Sequence, residues 1–105
     1  MERYKIIDFV DFLLKRVFQP KPIPEILIFN AWMDVVKDVN FHFPNTTEDD
    51  IFDKIKTNQN ELVVFLYRIG SQLHKENRED LKPQIHFLMK DLCSCEIYFN
   101  TIMYI

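Results

Sequence analysis

Apolar residues recur along most of this chain at the spacing of an α-helix. The strongest pattern lies in residues 58–77, where one face repeats at three- and four-residue steps and consists of Leu62, Phe65, Leu66, Ile69 and Leu73. Val63, Val64 and Tyr67 make the remaining sides of this segment apolar as well. A helix that is apolar all round is typical of a buried position, so we expect it to lie at the centre of the fold, covered on every side.

Helix start and stop signals divide the rest of the chain. Asn58 followed by Glu61 has the spacing of a capping box. Pro83 fits only near the start of the last helix, because further inside it would remove a backbone hydrogen bond. The predicted helices are Tyr4 to Phe18, Pro24 to about Val39, a short helix capped by Thr46 or Thr47, Asn58 to Asn77, and a last helix carrying Leu81 to Leu92.

The composition agrees with a helical protein. The chain has 105 residues, of which one is Gly and five are Pro, and 48% are hydrophobic. An all-β fold would need many more turn residues, and this length suffices for one domain with a core. After Cys93 the sequence changes to a β-prone run that reaches Phe99. We therefore predict a single all-α domain over residues 1–105, with four to five helices in a small orthogonal or irregular bundle and a short extended C-terminal tail.

Charge and hydropathy exclude several classes of partner. The formal net charge is −3, with acidic and basic residues interspersed, so we expect no binding to nucleic acid or to an anionic membrane. No apolar run approaches the roughly 18 residues of a membrane span, and the N-terminus lacks the pattern of a secretory leader. We expect a cytoplasmic protein.

Few residues offer reactive chemistry. Cys93 and Cys95 are too close for an unstrained disulfide and supply only half of a zinc site, so we expect reduced thiols. His74, among charged residues near the end of the 58–77 helix, is expected to be solvated, and His86, in the middle of the last helix, is expected to have a hydrogen-bonded or half-exposed structural role. His42, between two phenylalanines in a predicted loop, is placed most like a site residue, but no partner lies at a fixed offset. We assign no catalytic residue and no metal ligand.

The second half of the chain resembles a known family. Its matching residues are Tyr67, Arg68, Ile69, Gly70, Leu73, Arg78, Leu81, Glu96 and Ile97. Over residues 46–105 this order resembles the helical region that precedes the hexapeptide-repeat β-helix in serine acetyltransferases. The chain departs from the family at Tyr98-Phe99, where the family has His-Pro. Residues 1–45 resemble no family that we recognise.

The resemblance implies a role in acetyl transfer from acetyl-CoA to L-serine, a step of cysteine biosynthesis. In the family a histidine of the β-helix deprotonates the serine hydroxyl, and acetyl-CoA is the co-substrate between neighbouring β-helices. No histidine of this chain maps to that position, and the single glycine argues against hexapeptide repeats, so we expect neither the catalytic residues nor a cofactor site here. Family acids upstream of the Tyr-Arg helix reach the substrate ammonium group, which makes Asp49 and Asp50 the candidate substrate-binding residues. The alternative is that these acids only complement a helix N-terminus.

We therefore interpret the chain as the N-terminal helical part of a serine O-acetyltransferase-like protein, as a truncated product or a fragment. Its expected partners are a β-helix acyltransferase domain and further copies of itself, because apolar surface would otherwise stay uncovered. Two alternatives remain. The chain can be a stand-alone helical protein-interaction module, or part of a hexapeptide acyltransferase with another acceptor, such as a sugar.

This interpretation predicts that the purified chain alone has no acetyltransferase activity. Release of the CoA thiol from acetyl-CoA in the presence of L-serine should stay at the rate measured without protein. Turnover proportional to the protein concentration would show that the chain carries its own catalytic base.

Overall fold

A computed structural model describes residues 1–93, and these residues form five α-helices and one 3₁₀ turn without any β-strand. The elements are α1 (Arg3–Leu14), α2 (Glu25–His42), α3 (Glu48–Thr57), α4 (Gln59–Lys75), the 3₁₀ turn Glu79–Leu81, and α5 (Lys82–Leu92). The prediction of an all-α bundle of four to five helices is confirmed. The predicted extended tail lies outside the described residues. None of the described helices combines the length and the apolar character needed to cross a bilayer.

Helix α4 forms the centre of the fold. It packs against α2, α3 and α5, while α1 contacts α2 and α5. Its side chains Phe65, Leu66, Ile69 and Leu73 are fully removed from solvent. The Trp32 ring of α2 meets the Phe65 ring edge-to-face at 6.3 Å between centroids, and it meets the Phe52 ring of α3 in the same way at 6.1 Å. Edge-to-face aromatic pairs add about 0.5–1.5 kcal/mol beyond the burial of their area.

The expectation that α4 is covered on every side is wrong for one stripe. Val64 is 44% exposed, and it lies on the same side of the helix as Arg68, Ser71 and Lys75, none of which is buried. The reason is that the packed neighbours surround only part of the helix circumference. The cap also differs from the predicted capping box, because the Asn58 side chain accepts its bond from the Asn60 amide, at 2.9 Å.

Two helix ends differ from the predicted boundaries. Helix α1 ends at Leu14 rather than near Phe18. The amides of Arg16 and Val17 donate to carbonyls three residues earlier, as in a 3₁₀ turn, and Gln19 takes a positive φ of 53°. Helix α2 continues past Val39 to His42. It can do so because only Pro44 interrupts it, and proline disfavours the helical conformation in the residue before it. His42 therefore belongs to a helix end and not to a loop.

A buried glutamine fastens the segment between α1 and α2 to the last helix. The Lys21 amide donates to Gln84 Oε1 at 3.0 Å, and Gln84 Nε2 donates to the Lys21 carbonyl at 2.8 Å. Both polar ends of this side chain, which is 8% exposed as a residue, are thus satisfied. Pro83 occupies the first turn of α5 as predicted, where its missing amide costs nothing.

Gly70 generates a stability prediction. It is buried in the interior of α4, yet a methyl group added at its Cβ position would meet no neighbouring atom within 4 Å. Glycine costs about 0.8–1 kcal/mol relative to alanine in a helix interior. Gly70→Ala should therefore raise the free energy of unfolding by about 1 kcal/mol in urea titrations. The reverse change at a matched buried position of α2, Ala31→Gly, should lower it. An unchanged or lower value for Gly70→Ala would show that the site is strained by a side chain.

Candidate functional site

A groove lies where α2 turns into α3. It encloses about 570 Å³ and is lined by His42, Phe43, Pro44, Asn45, Thr46, Asp50, Asp53 and Lys54. Its wall therefore combines an apolar side, contributed by the α2–α3 turn, with charged side chains from the first two turns of α3. Phe43 and Pro44 supply the apolar part of this lining, and the charged side chains of α3 are the groups that could orient a small ligand.

The local sequence explains why α3 presents these charges. Thr47 is the N-cap, and its Oγ1 accepts a hydrogen bond from the Asp50 amide at 3.2 Å. This bond fixes the first turn of α3, and Asp50 in that turn lines the groove. Lys54 lies four residues further along, one turn away, so both side chains share one face. A cation and a carboxylate therefore line the same groove.

A second, smaller hollow of about 170 Å³ adjoins the groove through shared residues. Its lining consists of Asp38, Val39, His42, Phe43, Ile51, Lys54 and Glu61. Asp38 is also the partner of Arg68, whose guanidinium donates to Asp38 Oδ2. One turn further, Gln72 Nε2 donates to Asp34 Oδ2 at 3.1 Å. The Tyr-Arg element of α4 is thus joined to the wall of the candidate site by a polar seam between α4 and α2.

This seam pairs Arg68 with a carboxylate, the partner that a guanidinium on a largely buried helix needs. The pair is partly solvated, since the two side chains are 36% and 57% exposed. At this exposure an ion pair contributes at most about 1 kcal/mol. The packing of α4 on α2 therefore sets the relative position of the two helices, and the pair is compatible with that position.

The structure separates the two predicted substrate-binding acids. Asp50 lines the groove, whereas Asp49 does not. Glu48, the first acid of the cluster, accepts a hydrogen bond from the α-ammonium group of Met1 at 3.2 Å. Asp53 lines the groove and lies 3.6 Å from the Lys56 ammonium group. Sequence reasoning did not single out Lys54 or Asp38. The four-residue spacing between Asp50 and Lys54 could have indicated Lys54. The position of Asp38 follows only from helix packing.

The histidines occupy three different environments. His42 lines both the groove and the adjoining hollow, and its ring meets Phe41 edge-to-face at 5.1 Å. His74 is 71% exposed, with Nδ1 at 2.6 Å from Glu79 Oε1, which fits the predicted solvated role. Together with Lys82, His74 holds the pKa of Glu79 below its usual value. His86 is partly buried on α5, and its Nδ1 has no hydrogen-bond partner.

Cys93 is a free, buried thiol at the end of α5, as predicted. Its Sγ lies 3.7 Å from the Gln59 carbonyl, to which it can donate a weak hydrogen bond. Burial raises the pKa of the Cys93 thiol, so it stays protonated and unreactive near neutral pH. The prediction for Cys95 falls outside the described residues.

Comparison with protein-family models, with curated proteins and with solved structures gave no match. Within residues 1–93, no group of three or more histidine, cysteine or acidic side chains could hold a metal ion. The case for a site therefore depends on the groove and on its charges.

His86 generates a prediction for pH dependence. Burial, and to a lesser degree the charge of Lys82, lowers the pKa of His86. Below the ordinary histidine pKa of about 6.5 the unfolded chain binds a proton that the folded chain does not. The contribution of His86 to stability is therefore complete above pH 6.5 and is lost as the pH falls towards its lowered pKa. Unfolding titrations of His86→Leu should show a weaker loss over this range than the parent chain does.

His42→Gln provides the control for this measurement, because His42 is exposed and its replacement should leave the slope in place. An equal slope in the parent chain and in His86→Leu would contradict the assignment.

Proposed function

We propose that this helical unit is the region that precedes the hexapeptide-repeat β-helix of a serine O-acetyltransferase-like protein and packs on it. The observation that supports the proposal is the arrangement of α4 and α5. The Tyr67-Arg68 element lies on α4, and the next α-helix, α5, packs against α4. The chain leaves α5 at Cys93 with extended dihedral angles of φ −118° and ψ 159°. The resemblance to the family implies that the helices end at this point, three residues before Glu96.

The groove supplies the second part of the proposal, a contact to the amino-acid substrate. L-Serine is a zwitterion, and the groove carries both signs of charge. Asp50 and Asp53 can accept hydrogen bonds from an ammonium group, and Lys54 can bind a carboxylate. Paired charges of this kind favour an amino-acid acceptor over a sugar, which has no ammonium group to match them. We retain Asp50 as the leading candidate and Asp49 as the weaker one.

The chemistry of transfer would belong to the β-helix. Its histidine would deprotonate the serine hydroxyl, which attacks the acetyl carbonyl, breaks the thioester bond and releases CoA. The helical unit would bind and orient the acceptor and would hold the first coil of the β-helix. Because acetyl-CoA and L-serine are metabolites of the cell interior, we place the protein in the cytoplasm.

A second candidate function is a stand-alone interaction module. It is favoured by two aromatic side chains at the end of α2 that remain largely in solvent, Phe41 at 82% and Phe43 at 67% exposure. A module that captures a partner through this corner would need no β-helix. Isoleucine- and glycine-marked hexapeptides encoded directly after Ile105 would favour the acyltransferase; any other continuation would favour the module.

A chimera tests the proposed function. The full chain would replace the helical region of a serine acetyltransferase, joined so that Glu96-Ile97 occupies the place of the family's acidic-Ile pair. We expect this chimera to transfer acetyl groups to L-serine. Asp50→Asn should raise the KM for L-serine roughly tenfold or more, because it removes a hydrogen bond to a charged group worth about 1.5–3 kcal/mol. The release of the CoA thiol measures both effects.

Asp49→Asn is the matched comparison, and we expect a change in KM within about twofold, the size of a long-range charge effect of about 0.4 kcal/mol. Circular dichroism and light scattering should first show that the chimera is folded and oligomeric. A folded chimera without activity would contradict the role of the helical unit. An active chimera in which the Asp50 and Asp49 variants behave alike would contradict the substrate contact alone.

A further inference from the structure

A hollow separate from the candidate groove lies between the segment that follows α1 and the first two turns of α5. It encloses about 390 Å³, within the range of roughly 300–1,000 Å³ that small-molecule sites occupy. We call it the α5 hollow. It shares no residue with the groove at the α2–α3 turn, so its role is independent of the acyltransferase proposal. Its apolar lining is Val17, Phe18, Pro83 and Phe87, and its charges come from Lys21 and Asp80.

The apolar walls of the α5 hollow are ring-shaped side chains. Phe18 and Phe87 contribute aromatic rings and Pro83 a saturated one. Phe18 is 89% exposed and Phe87 is 45% exposed, and neither ring is paired with another aromatic ring of residues 1–93. Aromatic rings gain energy from offset-stacked or edge-to-face contact with a second ring. A planar aromatic ligand would therefore supply the ring contacts that both phenylalanines lack.

The two charges of the α5 hollow differ in whether they already have partners. The Arg78 guanidinium donates to both carboxylate oxygens of Asp80, from Nε at 3.2 Å and from Nη2 at 3.3 Å. Arg78, and to a smaller degree Lys21, holds the pKa of Asp80 below its usual value. Lys21 itself forms no ion pair with an acid of residues 1–93. The lysine is therefore the charge that remains available, and it favours an anionic ligand.

The backbone of Lys21 is held in place at the edge of the hollow. The buried Gln84 side chain binds both the amide and the carbonyl of Lys21. Pro20 and Pro22 restrict φ on either side of it, and Gln19 turns the chain with a left-handed φ of 53°. A wall whose backbone is already ordered loses less conformational entropy when a ligand binds. The Lys21 side chain therefore extends from a fixed point.

We propose that the α5 hollow is a binding site for an aromatic carboxylate. The aromatic part of the ligand would lie against Phe18 and Phe87, and its carboxylate would accept a hydrogen bond from the Lys21 ammonium group. Charge complementarity selects this class over an aromatic cation, because a cation would meet Lys21 and would find Asp80 already bound to Arg78. Ring contacts select it over an aliphatic acid.

Titration of the full chain with 2-naphthoate tests the site. The NMR signals of the Lys21 backbone amide and of the Gln84 side-chain amide report on the hollow, because these two groups bind each other at its edge. Both signals should shift together, with a Kd of about 1 mM or lower. The uncharged analogue 2-naphthylmethanol has the same rings, and it should bind about tenfold more weakly because it lacks the charged acceptor.

Variants at exposed positions separate the charge from the ring contact without disturbing the fold. Lys21→Gln keeps the backbone bonds to Gln84, and it should weaken 2-naphthoate about tenfold while leaving 2-naphthylmethanol unchanged. Phe18→Ser should weaken both ligands, because it removes one ring of the wall. Lys37→Gln and Phe41→Ser are the matched controls, at an exposed lysine and an exposed ring outside the hollow, and both affinities should stay unchanged in them.

The proposal is overturned if 2-naphthoate at about 10 mM shifts neither signal. Equal affinity for the acid and the alcohol would also overturn it, because binding would then depend on apolar contact alone. A loss of 2-naphthoate affinity in Lys37→Gln as large as that in Lys21→Gln would overturn it too, since the effect would then come from the net charge of the chain and not from the hollow.

Discussion

The burial of α4 between α2, α3 and α5 is the constraint on which the rest of this fold depends. Trp32 fills the space between α2, α3 and α4 by contacting Phe52 and Phe65 at once. The removal of one large side chain from such a core costs about 3–5 kcal/mol, a large part of the total stability of a domain this size. The surface ion pairs each contribute far less. Packing therefore decides whether the chain folds and how its helices are aligned, and the polar bonds between helices form in the alignment that packing sets.

The groove and the Tyr-Arg element are connected through this alignment. Arg68 and Gln72 lie on one side of α4, one turn apart, and each binds an aspartate of α2. A shift of α4 along α2 would break both bonds together. Since Asp38 also lines the hollow beside the groove, the position of the central helix determines the shape of the candidate site. Arg68, which is distant from the groove in sequence, thereby affects the shape of the candidate site.

The sequence predicted the helices well because their apolar residues repeat at the helical period. Local chemistry narrowed the cap of α3 to Thr46 or Thr47, of which the structure has Thr47, and it placed Pro83 early in α5. The prediction overestimated the burial of α4. An apolar residue such as Val64 does not show, from the sequence alone, whether another helix packs on its side of α4. The prediction placed His42 in a loop, because the end of α2 is set by Pro44 and not by the last apolar repeat. Asp50 could be proposed, together with Asp49, only through the family resemblance, because an acidic first turn by itself indicates no more than a complement to the helix dipole. The meeting of Asp50, Lys54 and Asp38 could not, because it depends on how three helices are packed.

The two hydrogen bonds between Gln84 and the Lys21 backbone have a consequence for folding while the chain is being synthesised. These bonds join positions 63 residues apart, so the segment after α1 cannot form them until α5 has left the ribosome. During synthesis the first four helices therefore leave the ribosome while the side of their core that α5 covers is still open to water. The nascent chain must avoid association through this exposed side. The segment after α1 contains three prolines, Pro20, Pro22 and Pro24, which suit that requirement because a backbone that lacks amide donors is a poor template for β-pairing.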